Sequence, residues 1–493
     1  MDDSKKLKSI SSYSKLSACI IILFSAIVFS LAFFYHISGD ACWHASVSRF
    51  IAEEKKLPLN ENLGRDEPFW APPLFHLTQA LIYIIFGNMN IADIIIKFIS
   101  PLFAILTIIF SYLSIKKIFD GKIAFYSLLF LAFIPLFMDY SIFGYVESML
   151  AFFVIASIYF AISKKNVMAS LFLGLGILTK YNAVFIMPAL LYIAYKNSKS
   201  KKDAIKSMLI ILIIPLIIAS PWLIRNWIVL GNPVWPFINF IFNGVPSKFS
   251  GFDFNRFTSI NLITYAYAGF FGIPDGNPKA LFFFEIPYIN QLIILGIIAT
   301  LIFISPLIFA FFAKKIKNKA LLALWIIPYI FLFLLYVGNV GFSVTRIIMP
   351  AIPAIAVLWA YGFGEMLKPK YKKLILAFFI LIISAFIFAE SAKIIIAANM
   401  WKSYNDDFGW IKANTAKNSI FMAGGQCIPY NIERLSVSPN IENLKKSDYA
   451  FISQNFKLDK RVAINNTLLT EIKKGKLVYK NNKTGTEIYS SKH

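Results

Sequence analysis

The chain has 493 residues, of which 58% are hydrophobic and only 15% charged, where soluble proteins carry about 25% charge. Its 50 phenylalanines exceed what a water-soluble fold can hide, which excludes a soluble globular class and implies an integral membrane protein. The formal net charge is +23, but the excess lysines sit in short loops between apolar runs; this is a topology signal and excludes nucleic acid as a partner.

The first apolar run, 16–37, exceeds the roughly 20 residues a helix needs to cross a bilayer. It lacks a small-residue cleavage site and reads as a retained first span. Ten further runs follow at 92–115, 122–139, 146–163, 167–178, 181–195, 207–224, 288–313, 320–337, 347–364 and 374–392. Lysine-dense loops around Lys5, Lys116, Lys164, Lys196, Lys314 and Lys368 alternate without exception with lysine-poor ones. The positive-inside rule puts the lysine-dense side and the N-terminus in the cytoplasm of a multi-pass cell-membrane protein. The stretch Pro72–Gly87 is apolar, yet counting it as a span would flip every later lysine-dense loop outward. It reads instead as a helix lying in the interface or re-entering it, with Pro-Pro at its first turn. Residues 41–55 form a second such helix, with Trp43, Val47, Phe50 and Ile51 on one stripe.

Outward segments are then 38–91, 140–146, 225–287 and a polar tail. The expected architecture is an all-α polytopic membrane domain, 1–392, of about eleven transmembrane helices plus interfacial helices in the first outer loop. A small C-terminal α/β extracytoplasmic domain, 393–493, completes it. Strands are expected at 449–453 and 476–479, and Asn465-Asn466-Thr467 and Asn482-Lys483-Thr484 are glycosylation-type sequons. Cys42 and Cys427 both fall in outward segments, which leaves a disulfide between them as an option that sequence alone does not decide.

The residues that carry chemistry gather on the outer side. Asp40 follows the first span, where it reads equally as a helix N-cap and as a fixed, ionised base for a hydroxyl. The loop from Gly64 to His76 mixes Arg65, Glu67, Trp70 and His76 and, with His44, suits a pocket wall for a polar substrate. Glu147 lies just inside an apolar run, a costly place for an acid and hence a functional candidate. Asp139 reads as an acid that snorkels to the interface. Lys180, Arg225 and Arg346 lie at the outer mouths of three span pairs, where they bind lipid headgroups or together hold one phosphate. No HExxH, CxxC, Walker loop or GxSxG motif occurs. The motifs present single out no cofactor, and a divalent cation, Mg or Mn, held by Asp40, Glu67, His76 or Glu147 stays open.

Several of these segments resemble the glycosyltransferase-C superfamily, and within it the family 39 group of protein O-mannosyltransferases and aminoarabinose lipid A transferases. They are Asp40, Pro72-Pro73-Leu74-Phe75-His76, Glu147, Gly174-Leu175-Gly176-Ile177-Leu178-Thr179-Lys180-Tyr181, Pro221-Trp222-Leu223-Ile224-Arg225-Asn226-Trp227 and Arg346 to Pro350. The resemblance covers about residues 15–365. It departs at Ala41, where many members continue Asp with Glu, and at Glu147, where many have Asp. It implies an inverting transfer of a sugar, mannose or a modified pentose, from a polyprenyl-phosphate donor to a hydroxyl on a protein, lipid or glycan acceptor. Asp40 and Glu147 would be catalytic. His44, Glu67, His76, Lys180, Arg225 and Arg346 would bind substrate, with membrane lipids around them. A lipid or glycan flippase is the alternative, and it would place charge at span centres; an assembly scaffold would need no such cluster.

Overall fold

The computed structural model describes residues 2–87, 89–247, 289–313, 316–340, 345–367, 370–453 and 466–491. The outer loop beyond 247, Lys314, Lys315, Lys368 and the sequon residue Asn465 lie outside the described residues. Among the described residues each of the eleven apolar runs is largely helical. In chain order they begin with α1 (Asp2–Phe34), then α2 (Asp40–Glu54) and α3 (Leu74–Phe86) in the first outer loop, α4 (Met89–Ile96) and α5 (Ile99–Ile118). Next come α6 (Gly121–Phe133), α7 (Pro135–Ile142), α8 (Glu147–Ile162), α9 (Asn166–Thr179), α10 (Met187–Asn197), α11 (Lys201–Leu230) and the short α12 (Asn239–Phe242). The membrane part continues through α13 (Ile289–Ile304), α14 (Pro306–Ala310), α15 (Lys319–Val340), α16 (Ile352–Met366) and α17 (Lys372–Ser403).

Among the described residues six helices are long and apolar enough to cross a membrane, or seven if the pair α6/α7, bent by 61°, counts as one span. Pro135 explains the bend, because it offers no amide to continue the ladder from α6. The remaining runs are shorter helices, and their shortness matters. The 14 residues of α9 reach about 21 Å, less than the ~30 Å hydrocarbon slab. Alone, α9 is too short for a full crossing, and the extended residue Lys180 ends it. Aromatic packing seals the neighbouring helices. Trp359 stacks on Phe363 with ring centroids 4.5 Å apart and donates its indole N–H to the Phe303 carbonyl at 2.6 Å. Gly362 has no Cβ because the Pro306 carbonyl occupies its place.

The first outer loop departs from the expected picture in one respect. α3 behaves as an interfacial helix, with Leu77, Leu81, Ile84 and Ile85 exposed on one side and Phe75, His76, Gln79 and Ala80 buried on the other. By contrast, α2 does not lie on the membrane surface: Ala41 to Arg49 are all buried, between α3 and the C-terminal domain. A single apolar stripe was too little to reveal that second cover.

The C-terminal domain carries one five-stranded sheet of order β2-β1-β3-β5-β4. The strands are β1 (Ile420–Met422), β2 (Leu435–Val437), β3 (Tyr449–Ile452), β4 (Lys476–Asn481) and β5 (Thr486–Ser490). β1 pairs in parallel with β2 and β3, while β5 is antiparallel to β3 and β4. Buried Asp407 accepts hydrogen bonds from Tyr479, Asn481, Thr484 and Thr486, which ties the β4–β5 hairpin to the helix Asn405–Asn414. The threonine of the Asn482-Lys483-Thr484 sequon is thus committed to Asp407. α17 runs unbroken through residue 392 to Ser403.

Candidate active site

Two carboxylates anchor the site, and each opens a helix. Asp40 is the first residue of α2; the cap position is Gly39, whose φ of 60° no other residue adopts easily. A Cβ at Gly39 would also collide with the Tyr145 hydroxyl, which accepts the Asp40 amide at 3.0 Å. The Asp40 carboxylate is bound by two arginines. Arg65 Nη2 donates to Oδ1 at 2.9 Å and Arg346 Nη2 to Oδ2 at 2.5 Å. Glu147 is the first residue of α8, with 1% of its side chain exposed. Lys180 Nζ donates to its Oε1 at 2.7 Å, and Arg346 Nε lies 3.4 Å from the same oxygen. Arg346 therefore bridges the two acids. It comes from the 3-10 segment Thr345–Ala351, while Lys180 comes from the extended residue that ends α9.

Exposure separates the roles these groups can take. Asp40, Arg65, Arg346 and Lys180 keep about a fifth of their side chains open, whereas Glu147 is sealed. Burial pushes the Asp40 carboxyl up, but Arg346 and Arg65 outweigh it and hold the group well below the usual carboxylate range. At neutral pH it is an ionised acceptor.

His44 and His76 meet one turn deeper, Nδ1 to Nε2 at 2.9 Å, both buried against Trp43, Phe69 and Phe75. Burial and the Arg65 cation lower His76 to about 3, and burial with His76 beside it lowers His44 well below its ordinary value. Both rings are neutral at pH 7. An unfolded histidine binds a proton near pH 6.5 and these do not, so stability is present above pH 6.5 and is lost as pH falls below it. From pH 6.5 to 5 the expected loss from His76 is about 1.7 kcal/mol, and His44 adds to it in the same direction. Thermal unfolding in detergent should show this fall, and His44→Gln/His76→Gln should flatten it; an unchanged slope would refute the neutral pair.

The remaining expected residues sit at the edge. Glu67 accepts from the Trp70 indole at 3.1 Å and lies 3.7 Å from Arg65. Arg225 does not join the cluster: it donates to the carbonyls of Phe69 at 2.8 Å and Pro58 at 3.1 Å, clamping the first outer loop. Two participants went unassigned in the sequence. Arg65 was visible only as one residue of a mixed loop, and Gln426, 361 residues further on, accepts from Arg65 Nη2 at 3.3 Å. No local pattern marks either. The Cys42–Cys427 disulfide forms beside them.

Asp139 does not snorkel. It is fully buried with Lys393, which also pairs with Glu390 at 2.6 Å. Lys393 lies 21 residues beyond the start of α17, about 31 Å along the helix, which is one hydrocarbon thickness from Lys372.

A divalent cation fits poorly. Asp40 and Glu147 already face three cationic side chains, and no three His, Cys, Asp or Glu residues cluster among the described residues.

Residues 70–225 match the sequence family described as dolichyl-phosphate-mannose-protein mannosyltransferase. No curated protein sequence gives a significant match. Among solved structures, ArnT from Cupriavidus metallidurans bound to undecaprenyl phosphate is similar, with TM-score 0.60 and 14% identity over 96% of this chain and 97% of that one. The Archaeoglobus fulgidus oligosaccharyltransferase in its apo form gives TM-score 0.58 and 13% identity over 97% of this chain and 74% of that one. AglB from the same organism, in complex with an inhibitory peptide and a dolichol-phosphate, gives 0.52 and 14% over the same shares. At these identities the likeness establishes the fold: a polytopic helical membrane domain with a small C-terminal sheet domain.

Proposed function

We infer that this chain is an integral-membrane glycosyltransferase that moves a sugar from a polyprenyl-phosphate carrier to a hydroxyl acceptor, with inversion. The observation that carries this reading is Arg346, shared between an open carboxylate and a sealed one, with Lys180 beside it. ArnT and AglB, which have this fold, were solved with lipid phosphates, and the lysine-rich loops favour an outward-facing site with a cytoplasmic N-terminus.

In this mechanism the acceptor hydroxyl approaches Asp40 and gives up its proton as its oxygen attacks the anomeric carbon. The bond from that carbon to the phosphate oxygen breaks, and its electron pair stays on the leaving phosphate. A phosphodiester monoanion becomes a monoester dianion, and Arg346 and Lys180 stabilise the extra charge. Sharing Arg346 with phosphate also weakens its hold on Asp40, which raises the basicity of the carboxylate when the donor is bound. Glu147 is a positioning residue, since it is sealed from substrate and holds both cations. Arg225 supports the loop. The acceptor is a hydroxyl on protein, lipid or glycan, and the sugar is set by contacts that the donor itself would reveal. Asp139 with Lys393, one hydrocarbon thickness along α17 from Lys372, does not favour the transporter alternative.

The test uses the full protein in liposomes with radiolabelled polyprenyl-phosphate sugars and membrane extract as acceptor. Wild type should transfer label, and Asp40→Asn should transfer it about 10²- to 10⁴-fold more slowly. Equal rates would remove Asp40 as the base. No transfer with mannosyl, glucosyl and aminoarabinosyl donors would turn the reading toward transport.

A further inference from the structure

We propose that the C-terminal domain is a working part of the Asp40 site: Gln426, fixed by the Cys42–Cys427 bond, positions Arg65 against the Asp40 carboxylate. Arg65 is held on three sides. Its guanidinium lies 3.7 Å from the centre of the Trp43 ring, Nη2 donates to Asp40, and both Nη2 and Nε reach Gln426 Oε1, at 3.3 and 3.4 Å. Without Gln426, the Glu67 carboxylate, 3.7 Å away, is the competing partner.

The outer loop is fitted to the C-terminal domain over a continuous strip. Ser436 N donates to the Asn62 carbonyl at 2.8 Å, and Leu63 forms a parallel bridge with Ser436. Gly64, at φ +91°, lies against Gln426 and Pro429, 3.1 Å from where its Cβ would be. Along α2, Arg49 donates to the Tyr430 carbonyl at 3.1 Å and Glu53 pairs with Lys417 at 3.1 Å. The disulfide joins the third residue of α2 to the residue after Gln426.

The charged and titratable groups that act on the Asp40 carboxylate are Arg346 from the 3-10 segment, Arg65 from the outer loop, His44 on its own helix, Lys180 at the end of α9, Tyr140 on α7 and Tyr145 before α8. Gln426 acts on Asp40 only through Arg65, so it is a positioning residue. The catalytic consequence rests on the reading of Asp40 as the base, but the contact can be tested without it.

The probe is a water-soluble carbodiimide with an amine, which labels protonated, accessible carboxyls. Labelling of Asp40 in the full detergent-solubilised protein is followed by mass spectrometry between pH 4 and 6.5, relative to exposed Glu54. Gln426→Ala and Cys42→Ser/Cys427→Ser should each raise the Asp40 rate about threefold or more, approaching Arg65→Ala, as expected for a carboxyl released by about half a pH unit. Their thermal midpoints should stay within a few degrees of wild type for Gln426→Ala. In the transfer assay, the acid limb of kcat/KM should move to higher pH. Wild-type labelling in Gln426→Ala while Arg65→Ala labels faster would overturn the proposal, as would an Arg65→Ala variant that labels no faster. A wild type that transfers nothing would refute the functional reading and leave the labelling result standing.

Discussion

Arg346→Met should lower kcat/KM by about 10²- to 10³-fold, the usual cost of removing one donor aimed at developing charge, while barely moving the thermal midpoint. The two effects separate because the mutation orphans neither acid. Asp40 keeps Arg65 and Glu147 keeps Lys180. What is lost is the fork that spans both acids and would meet the departing phosphate. Arg346→Lys restores the charge without the fork, so its rate should fall between the two. Steady-state transfer in liposomes, with unfolding measured on the same preparations, checks this. A large loss of stability with little loss of rate would make Arg346 a structural strut.

The reverse pattern is expected at the buried triad. Lys393→Leu should destabilise the protein by about 3–5 kcal/mol, because it leaves Asp139 and Glu390 as uncompensated buried acids. Both sit beside a lysine whose side chain is only 10% exposed, so water offers little relief. Removing all three charges together, as Asp139→Leu/Glu390→Leu/Lys393→Leu, should recover most of that loss, since a well-packed apolar replacement avoids desolvation altogether. The measurement is thermal or denaturant unfolding in one detergent. If the triple variant is as unstable as Lys393→Leu, then packing and not charge governs this contact between α7 and α17.

The membrane domain was largely legible in the sequence because each helix writes its own signal, a run of apolar residues closed by lysines. What the runs could not convey was where a helix breaks. Pro135 divides one run into two helices, and α9 stops short of a full crossing. The three-residue strands β1 and β2 are too short to show an alternating pattern. Within the site, Asp40, Glu147, Lys180 and Arg346 stood out because each is a charge at the end of an apolar run, where an ion is expensive. Arg65 and Gln426 sit in polar segments, where such residues are ordinary, and only the docking of the C-terminal domain gives them a role. The Glu390–Lys393 spacing within an apolar helix was a readable sign of pairing, but its third member lies 254 residues away.

The bond between Cys42 and Cys427 also acts as a parity rule. Two sulfurs joined directly lie on one side of the bilayer, so the chain between them must cross an even number of times. Ten of the eleven apolar runs fall within that interval, an even number if each crosses, and adding α3 alone as a further crossing would make the count odd. A single covalent link at α2 thus constrains the in-and-out threading of the entire domain. Any insertion or deletion of one crossing between these residues would leave Asp40 and Gln426 on opposite faces.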